Sequence, residues 1–224
     1  MCGRFTLSTP PDQIAKLFDA PEVPSMEARY NIAPTQDVPV CRRPNPDAPR
    51  QIDLLRWGLV PFWADDLKIG NRMINARSET ASSKPAYRAA FKKRRCLIPA
   101  TGFFEWKKEG GGKQPYLFRR EDGAPFAFAG LWEHWSDDET GEVAETFTIL
   151  TCAANELVAP VHKRMPVVLR PDDFEFWLDP TNVDVSALDE LVGPWAPEGF
   201  EAYRVSRDVN SPRNDNPSLV EPLQ

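Results

Sequence analysis

The second residue of the chain, Cys2, could present two nucleophiles on adjacent carbons. If Met1 is removed, as is usual before a small residue, Cys2 carries a free α-amine and a free thiol. The amine can condense with an aldehyde to an imine, and the thiol can then close on the imine carbon to give a thiazolidine ring. An α-amine has a pKa of about 7.7–8.0 and is partly neutral at pH 7, whereas a lysine amine at about 10.4 is almost wholly protonated. An N-terminal cysteine is therefore suited to trapping a carbonyl carbon.

The same two groups allow a second chemistry. The α-amine could take the proton of its own thiol for attack on an amide, which is the logic of N-terminal-nucleophile hydrolases. Taken alone, Cys2 could also be only the second residue of an ordinary chain. The choice depends on residues elsewhere in the sequence.

Positive charge is concentrated in one window. Residues 68–95 hold nine Lys or Arg side chains and one acid, Glu79, which gives this window a charge of +8. Since the whole chain carries −6, the other 196 residues carry −14. Affinity for a polyanion depends on the local patch and not on the global sum, so the window predicts a phosphate-binding surface. A solvated charged helix around residues 84–95 is the alternative.

Composition restricts the other classes of function. A length of 224 residues with 42% hydrophobic content predicts one domain over residues 1–224. We find no apolar run near the ~20 residues of a membrane span and no signal peptide, so we expect a cytoplasmic protein. The four scattered cysteines and two separated histidines predict no disulfide, no metal site and no cofactor. We expect a monomer.

The elements that must position these residues are short. The sequence at 9–12, TPPD, predicts an N-cap at Thr9 followed by proline in the first turn, and apolar residues recur at helical spacing, so a helix is expected over 10–19. Further helices are expected at 86–93, 172–179 and 185–192, the last ended by Gly193-Pro194.

Strand-like runs lie between these helices. They cover residues 39–43, 94–106, 114–120, 125–135, 145–154 and 165–170. Glycine-containing polar stretches at 107–114 and 137–142 predict hairpin loops. Many antiparallel strands with peripheral helices indicate an α+β fold. The last stretch, from 206 onward, reads mostly as coil, either ordered against the body or frayed.

Seven motifs occur in a fixed order along the chain. They are MCGRF at the start, RYNIAPTQ (29–36), RWGLVPFWA (56–64), INARSET (74–80), ATGFFEWKK (100–108), TILTCAA (148–154) and VHKRMPVVL (161–169). In these motifs the chain closely resembles the SRAP family (SOS-response-associated peptidase), from residue 1 to about 222. The resemblance implies the SRAP fold, in which mostly antiparallel strands form a curved, barrel-like sheet core with short peripheral helices.

The resemblance also implies a function in the DNA damage response. An abasic deoxyribose opens to an aldehyde at C1′, and in this family the N-terminal cysteine traps it in single-stranded DNA as a thiazolidine DNA–protein crosslink that shields the lesion. A peptidase activity that removes residues ahead of the cysteine has also been proposed for the family, so the chain would be a self-modifying enzyme of peptidase or lyase type. Here that activity would remove Met1 alone, which a methionine aminopeptidase could equally do.

Four residues match the family's catalytic positions. Cys2 would be the double nucleophile, and Asn75 would hold its α-amine or a sugar oxygen by hydrogen bonds. Glu105 lies between two aromatic residues, so we expect desolvation to raise its pKa and make it a proton carrier near neutral pH; an outward-facing strand residue is the alternative. His162 would be the second acid or base, protonating the sugar ring oxygen or assisting reversal of the crosslink; a structural histidine is its alternative.

Other matched residues would bind DNA. Arg4 and Arg77 match positions that contact phosphates beside the lesion, for which the planar guanidinium is suited. Phe62 and Trp63 match a position where aromatic rings stack on neighbouring bases, a contact worth about 1–3 kcal/mol per base. Thr151 would hydrogen-bond near the site.

Three other functions compete with this interpretation. A class II glutamine amidotransferase domain also starts Met-Cys-Gly and uses the same amine and thiol, but its glutamine-binding motifs cannot be placed here. A non-covalent single-strand binder would need only the basic window and aromatic residues. A peptidase with protein substrates would need a peptide groove that the sequence does not indicate.

Overall fold

The computed structural model describes residues 2–137 and 139–223. Its strands are β1 Phe5–Leu7, β2 Arg29–Ile32, β3 Asp37–Arg42, β4 Gln51–Trp57, β5 Asn75–Arg77, β6 Arg95–Ala100, β7 Gly102–Glu109, β8 Gly112–Arg120, β9 Phe126–Ser136, β10 Val143–Ala153, β11 Arg164–Pro166, β12 Val168–Leu169 and β13 Phe200–Arg204. Its α-helices are α1 Pro11–Phe18, α2 Ser78–Ala81, α3 Arg88–Lys93, α4 Phe174–Leu178 and α5 Val185–Leu191. Short 3-10 helices cover Leu67–Arg72, Pro171–Asp173, Arg207–Asn210 and Pro217–Val220.

Five strands close into a barrel. The antiparallel pairs β4–β3, β3–β6, β6–β9 and β9–β10 run around it, and the parallel pair β10–β4 closes the ring. Strand β10 also pairs with β5 and β11, and β9 pairs with β12. Closure removes the exposed edges that an open sheet would leave. The predicted α+β fold with a barrel-like core and short peripheral helices is confirmed.

A second, antiparallel sheet lies against the barrel. Its strand order is β13-β8-β7-β1-β2. The two sheets meet through aromatic rings: Phe5 of β1 contacts Trp57 and Phe128 of the barrel, and Phe103 of β7 also contacts Phe128, at centroid distances of 5.2–6.1 Å. These four side chains are fully buried. Their packing fixes the position of β1, and with it the N-terminus, relative to the barrel.

One glycine permits close packing of the barrel strands. Gly130 lies on β9, and a Cβ at this position would stand 2.8 Å from the carbonyl oxygen of Thr148 on β10 and would also collide with Ile98 on β6. Because both neighbours are core groups on paired strands, no larger residue fits without separating the strands.

Two local predictions differ from the structure. The N-cap of α1 is Pro10 and not Thr9, and it makes no side-chain capping hydrogen bond, so the fixed proline backbone rather than a hydroxyl begins this helix. The hairpin expected at 107–114 is present, but its loop is shorter than expected, because β7 and β8 continue to a turn whose central residues, Gly110 and Gly111, both have positive φ.

The predicted strand at 94–106 is two strands in different sheets. β6 belongs to the barrel and β7 to the second sheet, with Thr101 between them. The change of sheet carries the chain from the barrel wall to a strand beside β1. Glu105 is therefore brought to the N-terminus rather than to the barrel.

The C-terminal coil is ordered against the body. The buried Asn31 of β2 donates from Nδ2 to the carbonyl oxygens of Val209, Ser211 and Asn214, at 3.3, 3.0 and 2.7 Å. Asp215 accepts hydrogen bonds at 2.5 Å from the Arg29 side chain and from the backbone at position 30.

None of the described helices is long and apolar enough to cross a membrane.

Candidate active site

Cys2 lies at the junction of the two sheets. Phe5 pairs with Phe103 of β7, and the same register, continued toward the N-terminus, places Gly3 opposite Glu105, so that Cys2 is one residue away and close enough for the charge of Glu105 to act on its thiol. The side chain of Cys2 is fully buried. Asn75 reaches it from β5, donating from Nδ2 to the Cys2 carbonyl oxygen at 2.7 Å. Because β5 pairs in parallel with β10, the barrel holds this amide in place.

Glu105 is a buried carboxylate, with 2% of its surface exposed. Burial raises its pKa, and the nearby His162 acts in the opposite direction. Both the direction and its cause, burial, agree with the sequence-based expectation. The two flanking aromatic residues, Phe104 and Trp106, belong to a separate hydrophobic cluster with Leu117, Val205, Val209 and Leu219.

The thiol of Cys2 is kept protonated by its surroundings. Burial raises its pKa far above that of a free cysteine, and the negative charge of Glu105 raises it further. The sulfur lies 3.8 Å from the carbonyl oxygen of Arg4, to which the thiol donates. The resting thiol is therefore not a thiolate.

His162 approaches Glu105 from the loop before β11. Its Nδ1 lies 3.8 Å from Glu105 Oε1, 2.9 Å from the carbonyl oxygen of Arg164 and 3.1 Å from the amide nitrogen of Arg164. The structure thus brings Cys2, Asn75, Glu105 and His162 together from four separate segments, as the sequence analysis requires. Their chemical roles stay predictions.

A cavity of about 420 Å³ opens beside this group. Its walls are Glu105, Trp106, Lys113, His162 and Asn210. The indole N–H of Trp106 donates to Oδ1 of Asn210 at 2.7 Å, so the C-terminal segment forms one wall.

Three of the wall residues were not among the sequence-based candidates. Trp106 lies in the motif ATGFFEWKK, but the sequence indicates no role for it beyond its place next to Glu105. Lys113 fell in a predicted loop, and Asn210 in a stretch read as coil. No local pattern signals that these three residues meet, because the meeting depends on the pairing of β7 with β8 and on the anchoring of the C-terminal segment.

The two aromatic residues proposed to stack on bases are exposed. Phe62 is 59% and Trp63 51% exposed, which is unusual for side chains of this size. They line a cavity of about 480 Å³ together with Trp135 of β9 and the acidic side chains of Asp65, Asp137 and Glu139. Exposed rings of this kind offer flat faces to a planar ligand.

The two arginines proposed to bind phosphate differ in their surroundings. Arg77 ends β5, two residues after Asn75, and its side chain is exposed. Arg4 is half-buried and donates from Nη1 to Asn31 Oδ1 at 2.9 Å and to the Val209 carbonyl oxygen at 3.0 Å. Arg4 thus joins the N-terminal and C-terminal segments. A phosphate bound here would have to share the Arg4 guanidinium with Asn31 and Val209.

The prediction that Thr151 contacts DNA needs correction. Thr151 is fully buried, and its hydroxyl donates to the carbonyl oxygen of Ala76 at 3.2 Å. It also accepts from Nε of Arg164 at 3.4 Å. A wholly buried hydroxyl with these partners offers no surface to DNA, so in this structure Thr151 supports β5 and Arg164.

The basic window divides into exposed and structural charges. Seven of its cations are exposed, namely Lys68, Arg72, Arg77, Lys84, Arg88, Lys92 and Lys93. Arg94 pairs with Glu133 at 2.6 Å, and the buried Arg95 donates to backbone carbonyl oxygens that include those of Trp177 and Phe91. The phosphate-binding surface expected from this window can therefore use at most seven of its nine positive charges.

Within residues 2–137 and 139–223, no three His, Cys, Asp or Glu side chains are grouped so that they could hold a metal ion. The chemistry available at the site is that of the aminothiol, the amide, the carboxylate and the imidazole.

Comparison with known proteins adds a family. The model of the SOS response associated peptidase (SRAP) family matches residues 1–212. The chain is 43% identical over 225 residues to the abasic site processing protein YoqW of Bacillus subtilis (strain 168), covering 99% of both chains. It is 34% identical over 230 residues to the abasic site processing protein YedK of Escherichia coli (strain K12), covering 100% of both. A crystal structure of a protein from Bacteroides thetaiotaomicron matches with a TM-score of 0.88 at 27% identity over the whole of both chains.

Proposed function

Because the chain belongs to the SOS response associated peptidase (SRAP) family, we propose that it processes abasic sites in single-stranded DNA and does so by forming a thiazolidine crosslink through Cys2. The convergence of Cys2, Asn75, Glu105 and His162 beside one cavity is the observation that carries the proposal. The crosslink shields the lesion. The protein acts as a monomer and needs no metal or cofactor.

The reaction balances with one water released. The ring-opened abasic sugar presents an aldehyde, and the neutral α-amine of Cys2 adds to its carbon to give a carbinolamine. Loss of water gives the imine, and the thiol sulfur then bonds to the imine carbon while the thiol proton passes to nitrogen. No oxidant or other reactant is required. The α-amine must be free, so Met1, which lies outside the described residues, is removed first.

Asn75 is suited to orient the amine. Its Nδ2 fixes the Cys2 carbonyl group at 2.7 Å. Its Oδ1 is buried and accepts no hydrogen bond from the described residues. A buried acceptor without a donor costs about 1–3 kcal/mol, which an incoming N–H or O–H would recover. The freed α-amine of Cys2 and the sugar hydroxyl are both donors of the right kind.

Glu105 and His162 supply the proton transfers. Because burial raises its pKa, Glu105 keeps its proton to a higher pH than an exposed carboxyl group does, and it can give that proton to the leaving hydroxyl of the carbinolamine. The resulting carboxylate can then accept the thiol proton and relay it to nitrogen. His162, which lines the same cavity, is placed to protonate the sugar ring oxygen during ring opening.

Two arginines and two exposed aromatic residues are suited to binding a single strand that flanks the lesion. Arg77 follows Asn75 by two residues and can neutralise a phosphate next to the lesion, and Arg4 is a second, partly engaged guanidinium. Phe62 and Trp63 offer exposed rings for stacking of bases, a contact that tolerates any sequence. Binding of this kind depends strongly on salt.

The family's peptidase activity would here be self-removal of Met1. It would use the thiol of Cys2 as nucleophile, whereas burial and Glu105 hold that thiol in its protonated form. We therefore propose abasic-site trapping as the principal activity, with Met1 removed either by the chain itself or by a methionine aminopeptidase. Intact masses of the wild type and of Cys2→Ala, expressed in the same host, distinguish the two sources, because self-removal needs the thiol, whereas a methionine aminopeptidase also removes methionine before the small alanine.

A denaturing gel tests the crosslink. Protein whose Met1 removal is confirmed by intact mass is incubated with a single-stranded oligonucleotide that contains one abasic site. We expect a shifted band that survives denaturation. The band should be absent with Cys2→Ala and with undamaged DNA.

Cys2→Ser is the sharper control. It keeps the α-amine but loses the thiol, so it should form an imine that is captured only after reduction with borohydride. A stable band from Cys2→Ala, or no band from correctly processed wild type, would contradict the proposal. In the second case a glutaminase assay and a salt titration of DNA binding would test the amidotransferase and non-covalent alternatives.

A further inference from the structure

An ion pair outside the cavity connects the segments that carry Asn75 and His162. Glu79 lies in α2, four residues after Asn75. Each of its carboxylate oxygens accepts a hydrogen bond from the Arg164 guanidinium at 2.9 Å. Arg164 begins β11, two residues after His162. The two ends of this bidentate pair therefore belong to the two polypeptide segments that must meet at the site.

The ion pair spans the strand that separates these segments. β5 and β11 both pair with β10, and Thr151 of β10 is opposite Arg77 on one side and Pro166 on the other. Thr151 helps to hold the Arg164 guanidinium in place, since its carbonyl oxygen and its hydroxyl both accept hydrogen bonds from that side chain. The same hydroxyl donates to Ala76 of β5. One guanidinium thus fixes the relative positions of three strands.

The backbone of Arg164 holds the imidazole of His162. The carbonyl oxygen and the amide nitrogen of Arg164 lie 2.9 and 3.1 Å from Nδ1 of His162. Nδ1 can donate to the first or accept from the second, so the position of this backbone determines where the ring carries its proton. It also determines the 3.8 Å approach of Nδ1 to Glu105.

We infer that Glu79 is a positioning residue for the reaction proposed above, holding His162 in place through Arg164. The inference rests on the proposed function. The Arg164 hydrogen bonds keep the pKa of Glu79 low, so the ion pair is present throughout the neutral range. The charged groups that face His162 are Glu105 from β7, Arg164 from β11, Lys113 at the cavity wall and the adjacent Lys163. Glu79→Gln replaces none of these groups and removes only the carboxylate partner of Arg164.

A remote ion pair provides a matched control. Glu175 of α4 accepts two hydrogen bonds from Arg43, at 2.7 and 3.0 Å, and one from Arg50 at 2.7 Å. Its side chain is 60% exposed and that of Glu79 is 50% exposed. Glu175→Gln therefore removes a comparable pair that contacts none of the four candidate residues.

The test is the single-turnover rate of crosslinking at saturating abasic DNA, measured from pH 5.5 to 8.5. We expect Glu79→Gln to slow the reaction about tenfold and to shift its pH profile, because small displacements of a catalytic group are costly. Glu79→Asp should recover part of the rate, and Glu175→Gln should behave as the wild type. A Glu79→Gln rate within twofold of the wild type would overturn the inference. The inference would also be overturned if Glu79→Gln weakened DNA binding, measured in the Cys2→Ala background, while its crosslinking rate constant, measured with Cys2 intact, equalled that of the wild type.

A second readout does not depend on DNA. The chain has two histidines, His134 and His162, so nitrogen NMR of the imidazoles resolves their tautomers in the free protein. We expect Glu79→Gln to change the tautomer ratio of His162 and to leave that of His134 unchanged. If the wild type formed no crosslink, the proposed function would fail while this measurement still tested the positioning. An unchanged His162 spectrum would overturn the inference.

Discussion

At the scale of single residues, burial in the candidate site favours the neutral forms of its acidic groups. It raises the pKa of the Cys2 thiol and that of Glu105, and the charge of Glu105 raises the pKa of the thiol further. An order of events follows from this. A protonated thiol is a poor nucleophile, whereas an α-amine near its ordinary pKa of about 7.7–8.0 is partly neutral at pH 7. The amine should therefore react first, and the imine nitrogen then receives the proton that the thiol gives up.

Glu105 should make the fold less stable as the pH rises. Its pKa is higher in the folded chain than in the unfolded chain, so the folded state binds more protons between these two values. Stability from this group is complete below the unfolded pKa of about 4.3 and is lost as the pH rises through the folded pKa, by at most about 1.4 kcal/mol per pH unit. We expect Glu105→Gln to match the wild type near pH 4 and to exceed its free energy of unfolding at pH 7.5.

Urea denaturation of both proteins between pH 4 and 8 checks this expectation. Other carboxylates titrate equally in the two chains, so the difference between the curves isolates Glu105. If Glu105→Gln were less stable than the wild type at pH 7.5, the interaction of Glu105 with His162 would outweigh its burial.

At the scale of secondary-structure elements, the sequence predicted the longest strands well but missed the seven-residue β4 of the barrel, as well as β1, β2, β5 and β13. Strands β9 and β10 were found because they are long and rich in aromatic and β-branched residues. The three-residue strands β1 and β5 were not predicted, although β1 directly follows the segment that contains Cys2, and β5 begins at Asn75. Strands this short are stabilised by pairing with β7 and β10, which no local pattern reveals. The four catalytic candidates could be identified from the family motifs. The cavity walls formed by Trp106, Lys113 and Asn210 could be identified only from the tertiary structure.

Asn31 illustrates how one residue orders an element that has no regular structure. It is fully buried, donates to three carbonyl oxygens of the C-terminal segment and accepts from Arg4. Asn31→Ala would leave the carbonyl oxygen of Asn214 without its donor, whereas that of Val209 would keep Arg4 and that of Ser211 the amide of Asn214. We expect a loss of about 1–3 kcal/mol in the free energy of unfolding. Amide hydrogen exchange should accelerate over residues 205–220 while the barrel strands stay protected.

A surface asparagine serves as the control for that variant. Asn45 makes one exposed loop hydrogen bond, to the amide of Asp47, and Asn45→Ala should change stability by less than about 0.5 kcal/mol. If exchange over 205–220 were the same in Asn31→Ala as in the wild type, other contacts would be holding the segment. The cavity wall at Asn210 would then not depend on Asn31.

At the scale of the whole molecule, net charge is a poor guide to the partner. The chain carries −6, yet seven exposed cations lie within one window, and the deeply buried Arg95 of the same window contributes to the fold rather than to the surface. A single strand drawn to this surface would meet Arg77 beside the cavity. The acidic remainder of the surface would repel the strand elsewhere, so charge could direct DNA toward the site.

Arg77 gives this argument a measurable consequence. Each phosphate neutralised on a single strand contributes about −0.7 to the slope of log K against log salt concentration. In the Cys2→Ala background, where binding stays non-covalent, Arg77→Gln should weaken affinity for an abasic single strand and make that slope shallower by about 0.7. Arg120 is the matched control, because it is paired with Asp122 at 2.6 Å at the end of β8 away from the Lys113 wall. Arg120→Gln should leave the slope unchanged, and equal slopes for wild type and Arg77→Gln would mean that the strand reaches the cavity along another path.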